Sequence, residues 1–350
     1  MNWRIPAYVL VSLLSAYLTF LIIPLVKSLC ERKGILDRPD PRKIHSYPIP
    51  RLGGVALVIS FTVAVWLGFI ANPRLWYDNW IGVTGILAGG VVIFVMGLLD
   101  DLRNLSPVVK FLWQMVAALI PILCGVRIEI LNIPFHGVIS LGPWGIPLSL
   151  LWVVAITNTF NLLDGLHGMA AGIAAISGLT FVVLGAVLNL PLASLLAAGI
   201  VGICIGFLRF NFYPAQIFMG DSGSLFIGYV LGVLSLYWPK SYASLVMFVP
   251  LLALGLPIIE VVTTTLRRVL TGKKIYVADK RHLFHYLMDL GLSHTGVVLL
   301  FYLISFQFSI MAMGFVFGKI YIILVLEVVF IIFIAIVLSR KVKSGGANGR

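Results

Sequence analysis

The sequence predicts an all-α, polytopic integral membrane bundle of about eleven transmembrane helices, and three observations carry that prediction. The chain has 350 residues, is 60% hydrophobic and only 11% charged, and has a mean hydropathy of +1.07; soluble domains are closer to half apolar and a quarter charged. Its apolar residues gather in runs of about 20, the length that crosses a bilayer core. Its cations fall between those runs, almost all on one side. A water-soluble core of this size could not hide so much apolar surface, so the bilayer is the solvent for most of it.

The first run, from about Tyr8 to Val26, is long enough to span and lacks a small-residue cleavage site, so it reads as a retained helix. Walking along the chain gives candidate spans at 7–26, 53–71, 81–99, 108–124, 146–163, 168–188, 191–208, 223–238, 243–266, 295–318 and 320–339. Between the fourth and fifth, Arg127–Pro147 alternates apolar and polar residues around Gly and Pro breaks, which predicts a short hairpin on the outer side. No linker, second soluble domain or repeat interrupts the pattern, so residues 1–350 read as a single transmembrane domain. Cys30, Cys124 and Cys204 lie in or beside apolar runs without paired spacing and read as small core hydrophobes.

Eleven spans put the termini on opposite sides. With the N-terminus outside, the inner segments 27–52, 100–110, 209–222, 267–294 and 340–350 hold 20 of the 25 Lys and Arg residues. Only Arg4, Arg74, Arg127, Lys240 and Lys319 stay outside, so the charge bias predicts N-out, C-in. Trp76, Trp80, Trp144 and Trp238 then fall at the outer interface. The net charge of +12 marks orientation; it forms no arm or stripe of the kind a nucleic acid would need.

The polar residues gather at the predicted inner ends of the spans. Asp100-Asp101 closes the third span in GLLDDLRNLSPVVK. Adjacent carboxylates repel, and a divalent cation or a cationic substrate group relieves them, as would Arg103 and Lys110 at a solvated helix end. Asn158, Asn161 and Asp164 recur at every third position of TNTFNLLDGLHG and share a drifting helix face. They suit ligation of a hard cation or reading of a base edge, and equally a polar seam between helices. His167 follows in the adjoining loop. Asp221 lies between glycines in FMGDSGS, where it suits either an anion-binding helix start or a simple cap. For Phe218 just ahead, stacking on a base and burial under its loop both stay open.

Lys273, Lys274, Lys280, Arg281, His282, His285 and His294 make segment 267–294 a receptor for a phosphate-rich ligand, beyond what orientation alone asks of it. Lys43, His45 and Arg51 add to it from the Pro-stiffened stretch RPDPRKIHSYPIPRLGG. Glu260 stands beside Gly255 and Pro257, where a broken helix could line a cavity or the acid pair with a neighbour. Acids for a divalent metal, cations for phosphates and a lipid phase alongside together describe phosphoryl transfer with one substrate in each phase.

RKIHSYPIPRLGG, GLLDDLRNLSPVVK, NTFNLLDGLHGMAAG, FMGDSGS and DKRHLFHYL, in this order, resemble the polyprenyl-phosphate N-acetylhexosamine-1-phosphate transferase family. Eleven helices with N-out, C-in also fit its bacterial undecaprenyl-phosphate N-acetylglucosamine branch. The resemblance implies a Mg²⁺-dependent reaction, with Mn²⁺ as a substitute, in which UDP-HexNAc and undecaprenyl phosphate give undecaprenyl-diphosphate-HexNAc and UMP. It implies that Asp221 and Asn161 hold the metal, that Asp100 deprotonates or orients the attacking lipid phosphate, and that Asp101 sits beside the metal. Lys110 would lie near the diphosphate, Phe218 would stack on uracil with Asp164 and His167 close by, and Lys280, His282 and His285 would hold the diphosphate and sugar. Lys43, His45 and Asn158 complete the candidate substrate contacts.

Two departures bear on the branch. The family pattern D-G-x-D-G reads Asp164-Gly165-Leu166-His167-Gly168 here, and H-x-H-H reads His282-Leu283-Phe284-His285. The triple-histidine motif typical of the UDP-MurNAc-pentapeptide branch is absent, which favours UDP-GlcNAc and leaves UDP-GalNAc open. The location implied is the bacterial inner membrane with the active face in the cytoplasm, with homodimer formation left open. A secondary transporter of an anionic solute is the rival from another class, but its site would lie near the midplane. A CDP-alcohol phosphatidyltransferase is weaker still, because its later glycines and paired acids do not follow Asp164.

Overall fold

The computed structural model describes residues 4–39, 47–133, 137–237, 251–252, 254–270, 283–319, 321, 325 and 328. Its helices in chain order are α1 (Arg4–Lys33), α2 (Gly53–Ala71), α3 (Arg74–Tyr77), α4 (Trp80–Arg103), α5 (Pro107–Leu123), α6 (Gly145–Leu163), α7 (Met169–Val187), α8 (Pro191–Asn211), α9 (Gly220–Leu234), α10 (Gly255–Leu270), α11 (Leu283–Asp289) and α12 (His294–Val316). Among the described residues seven helices are long and apolar enough to cross a membrane, and the shorter α5 and α9 are apolar as well. The protein is therefore an all-α polytopic membrane protein. The predicted span 53–71 coincides with α2, and those near 108–124 and 223–238 appear as α5 and α9. The C-terminal part of the span expected at 243–266 lies within α10; the one expected at 320–339 falls almost wholly outside the described residues.

Two short antiparallel pairs decorate the bundle. β1 (Leu36–Asp37) pairs with β2 (Ile49–Pro50) just before α2. β3 (Ile130–Ile133) pairs with β4 (Gly137–Ser140), which is the hairpin the alternation in 127–147 predicts. A 3₁₀ turn at Gly142–Trp144 leads from it into α6.

Side-chain size decides the packing, because lipid tails supply no hydrophobic drive between helices. α8 is buried between α1 and α7; a Cβ at Gly202 or Gly206 would overlap the main chain of α1 at Ser12 or Ala16. α9 occupies the middle of the other half, against α4, α6 and α2. Its first turn therefore lies among the C-terminal ends of α4 and α6 and the N-terminal ends of α2 and α5. The β3–β4 hairpin, between α5 and α6, lies at the opposite end.

Candidate active site

The α4–α5 turn sets the first part of the site. Asn104, with φ +50°, ends α4 and donates its N–H to the Asp100 carbonyl at 2.8 Å. Ser106 then caps α5, accepting from the Val109 N–H, with Pro107 in the first turn. This tight reversal returns Lys110 to Asp100, its Nζ 2.5 Å from Asp100 Oδ2. The same ammonium lies 2.8 Å from Asp221 Oδ2, at the start of α9. One cation thus bridges two carboxylates 121 positions apart. Asp221 Oδ1 accepts from Asn161 Nδ2 at 3.0 Å, and Asn161 also reaches Ser224 Oγ at 3.1 Å.

Asp101 does something different. Its Oδ1 accepts from the Asp221 N–H at 2.8 Å, and its Oδ2 from the Ser222 N–H at 3.0 Å and Ser222 Oγ at 2.6 Å. The carboxylate of one helix therefore caps another, satisfying N–H groups that α9 cannot satisfy itself. Both Asp100 and Asp101 are only 6% exposed. The approach depends on Gly220, with φ +71°: a Cβ there would stand 2.6 Å from Asp101 Oδ2. Gly97 likewise lets α4 meet α9, a Cβ there falling 2.6 Å from Ser222 Cα. Carboxylates at a helix C-terminus oppose its dipole. Arg51 offsets this by donating to the carbonyls of Asp100 and Asp101.

A cavity of about 570 Å³ opens over this cluster. Five aspartates line it, Asp37, Asp100, Asp101, Asp164 and Asp221, against the cations Arg51 and Lys110. Asp164 caps the C-terminal end of α6 with part of its surface open. The surrounding protein desolvates its carboxyl and pushes it well above the ordinary carboxylate range, and the Asp221 and Asp101 carboxylates push the same way.

The other side of the cavity is aromatic, with His167, Phe218, Phe284 and His285 in its wall. The His167 ring lies 5.3 Å from Phe218 and stacks on Tyr213 at 5.5 Å. Phe218 is fixed by its main chain, which donates to the Pro50 carbonyl and accepts from the Gly53 N–H. Phe284 is 2% exposed and packs on Gly165, where a Cβ would come within 2.9 Å of its ring. The aromatic residue in His282-Leu283-Phe284-His285 thus has a packing role against the Asp164–Gly165 turn.

The structure brings nine of the sequence-predicted site residues to this cavity: Asp100, Asp101, Lys110, Asn161, Asp164, His167, Phe218, Asp221 and His285. Asn158 is not in the cavity wall; it forms a reciprocal amide pair with Gln114, at 3.2 and 2.6 Å, that ties α6 to α5. Lys43, His45, Lys280 and His282 lie outside the described residues. Ser222, Ser224, Gln114 and Asn211 carry no sequence signal of their own, being small or neutral residues whose partners are distant in the chain. Arg51 stands in the sequence only as part of a basic stretch, and the structure sets it against the Asp100 and Asp101 carbonyls.

Hard oxygen donors, an acidic surplus and a cation already bridging two carboxylates fit a Mg²⁺ site, which uses one or two carboxylates and completes its shell with phosphate oxygens and water. Among the described residues no three His, Cys, Asp or Glu side chains form a ready cage, and Mg²⁺ seldom uses one. Asp221 through a carboxylate oxygen, and Asn161 through its amide oxygen in place of the Nδ2 that donates to Asp221 at 3.0 Å, are the residues that would hold it.

Carboxylates, a bridging lysine and an aromatic wall thus share one cavity at the end of a multi-helix membrane bundle. The chain belongs to the polyprenyl-phosphate N-acetylhexosamine-1-phosphate transferase family. The Glycosyl transferase family 4 profile matches residues 83–239. The chain is 39% identical over 339 residues to a probable undecaprenyl-phosphate N-acetylglucosaminyl 1-phosphate transferase of Bacillus subtilis, covering 94% of this chain and 91% of that one. It is 34% identical over 334 residues to a decaprenyl-phosphate N-acetylglucosaminephosphotransferase of Mycobacterium tuberculosis, covering 84% and 79%. It is 28% identical over 318 residues to a phospho-N-acetylmuramoyl-pentapeptide-transferase of Desulforudis audaxviator, covering 84% and 92%.

Proposed function

We propose that this protein transfers N-acetylglucosamine 1-phosphate from UDP-GlcNAc to undecaprenyl phosphate, releasing UMP, as the first step of an envelope polysaccharide. The observation that carries the reading is the Lys110 ammonium lodged between Asp100 and Asp221, beside an aromatic wall. Phosphates need the cations, a nucleobase needs the aromatics, and the isoprenoid tail needs the bilayer against which the site is built.

An oxygen of the lipid phosphate attacks the sugar-linked phosphorus of the UDP-sugar. The new P–O bond forms as the bond to the bridging oxygen breaks, and that oxygen leaves with UMP. Asp100 orients the acceptor phosphate and takes any proton it still carries. Lys110 moves from the carboxylates to the diphosphate and balances the charge on the leaving side. Asp101 acts by holding Asp221 in place and is a positioning residue. Mg²⁺, when held by Asp221 and Asn161, would neutralise phosphate charge and fix the in-line geometry. Phe218 and His167 take the uracil, and Lys280, His282 and His285 meet the diphosphate and sugar.

With N-out, C-in topology of about eleven spans this end of the bundle faces the cytoplasm of a bacterial inner membrane, where UDP-sugars are made. The protein purified in detergent should release UMP from UDP-GlcNAc only when undecaprenyl phosphate and Mg²⁺ are both supplied. Running UDP-GalNAc and UDP-MurNAc-pentapeptide alongside decides the donor. No UMP from any of the three, with folded protein, would end this reading.

A further inference from the structure

The turn between α6 and α7 carries Asp164 and His167 into the cavity wall, and a helix that supplies nothing to that wall grips the turn. His294, the first residue of α12, accepts the main-chain N–H of His167 on its Nε2 at 3.2 Å. Two turns along the same helix face, Tyr302 donates its hydroxyl to the Gly168 carbonyl at 2.5 Å. The Gly168 N–H is taken in turn by Asn211 Oδ1 at 2.9 Å, and Asn211 Nδ2 donates to the Ile217 carbonyl at 2.9 Å. The main chain of His167 and Gly168 is thus pinned from two sides, and the Asn211 link continues to the residue before Phe218.

Neither α12 ring is free to turn. Tyr302 lies so close to Gly172 that a Cβ there would overlap the phenol ring. His294 stacks on Tyr213, with centroids 4.6 Å apart and planes at 29°, and Tyr213 stacks on His167. Because Nε2 of His294 accepts, its hydrogen sits on Nδ1, and that atom is buried with no hydrogen-bond partner among the described residues. The stacking on Tyr213 and the hydrogen bond to the His167 N–H together hold the ring in an orientation that serves His167.

We propose that His294 and Tyr302 are positioning residues for nucleotide recognition: through the His167–Gly168 main chain they set the His167 imidazole against Phe218 and so control the grip on the base of the UDP-sugar. This rests on the reading above that the aromatic wall takes the uracil. It also explains how α11 and α12 couple to the base. Phe284 of α11 packs on Gly165 and α12 holds residues 167 and 168, so one helical corner supports the turn along its length.

The test uses the full-length protein with Tyr302→Phe, His294→Ala and His294→Gln. UMP affinity is measured by calorimetry, and KM for each substrate, kcat and melting temperature are measured in parallel. Tyr302→Phe and His294→Ala should weaken UMP binding and raise the UDP-sugar KM by about 3- to 10-fold, the size of one net hydrogen bond. kcat should stay within about twofold, and the KM for undecaprenyl phosphate should not move. His294→Gln, whose Oε1 can accept the His167 N–H, should recover most of the affinity. UMP affinity unchanged in folded Tyr302→Phe and His294→Ala, or a change confined to kcat or melting temperature, would overturn the proposal alone. Absence of UMP binding by the unsubstituted protein would overturn the base-site reading and this inference with it.

Discussion

Asp101 and Ser222 join the last turn of α4 to the first turn of α9 through two hydrogen bonds, from the Ser222 N–H at 3.0 Å and its Oγ at 2.6 Å. With the Asp221 N–H on the other oxygen, this carboxylate fixes where Asp221 stands. Asp101→Asn should therefore lower kcat by about 100-fold or more, since an amide offers one acceptor oxygen where three donors converge. Ser222→Ala removes one donor and should cost only about 1 kcal/mol of stability, with kcat reduced by less than about tenfold. Steady-state UMP release and melting in detergent check the order. Equal activity in the two variants would contradict it.

Lys110 separates Asp100 from Asp221. Lys110→Met should leave two carboxylates facing each other without a cation, lowering kcat by about 10²- to 10³-fold and destabilising the fold. Adding Asp100→Asn to Lys110→Met should return part of the lost stability, though no activity, with a coupling energy of about 0.5–3 kcal/mol. A double-mutant cycle by thermal denaturation measures it, and strict additivity would show that the ion pair contributes nothing to the fold.

Asp164 should be a stability cost kept for function. Its carboxyl is raised well above the ordinary range, chiefly by desolvation. The folded state therefore holds this proton more tightly than the unfolded one. That proton-linked stability is complete below the ordinary carboxylate value, about 3.9, and is lost as pH rises through the raised folded value. Asp164→Asn should raise the melting temperature by about 2 °C or more at neutral pH, and the gain should vanish towards pH 4. UDP-sugar turnover should fall in the same variant. A lower melting temperature at neutral pH would remove the desolvation argument.

Much of the architecture was legible because bilayer physics writes it into one dimension. The run 53–71 is α2 to the residue, and the alternation in 127–147 marks the hairpin. The candidate acids were legible too, since Asp100, Asp101, Asp164 and Asp221 stand out in a chain with 13 acidic residues. Their partners were not. Asn158 and Asn161 share one helix face and cannot be told apart by spacing, yet Asn158 pairs with Gln114 and Asn161 with Asp221. Helical periodicity names a face; it does not name the helix opposite.

By itself the sequence determined that the chain is a bundle of membrane helices, that its polar residues cluster at helix ends, and which family motifs it carries. Hydrophobic run length, charge placement and residue identity are local quantities, and a bilayer reads them locally. Only the tertiary structure decided that Asp101 caps α9 while its neighbour Asp100 faces Lys110, and that α12 holds the turn bearing His167. Those roles depend on which helix ends meet. That is settled by the close approach of α4 to α9 at Gly97 and of the Gly220 turn to Asp101, where side-chain volume summed over distant segments sets the outcome.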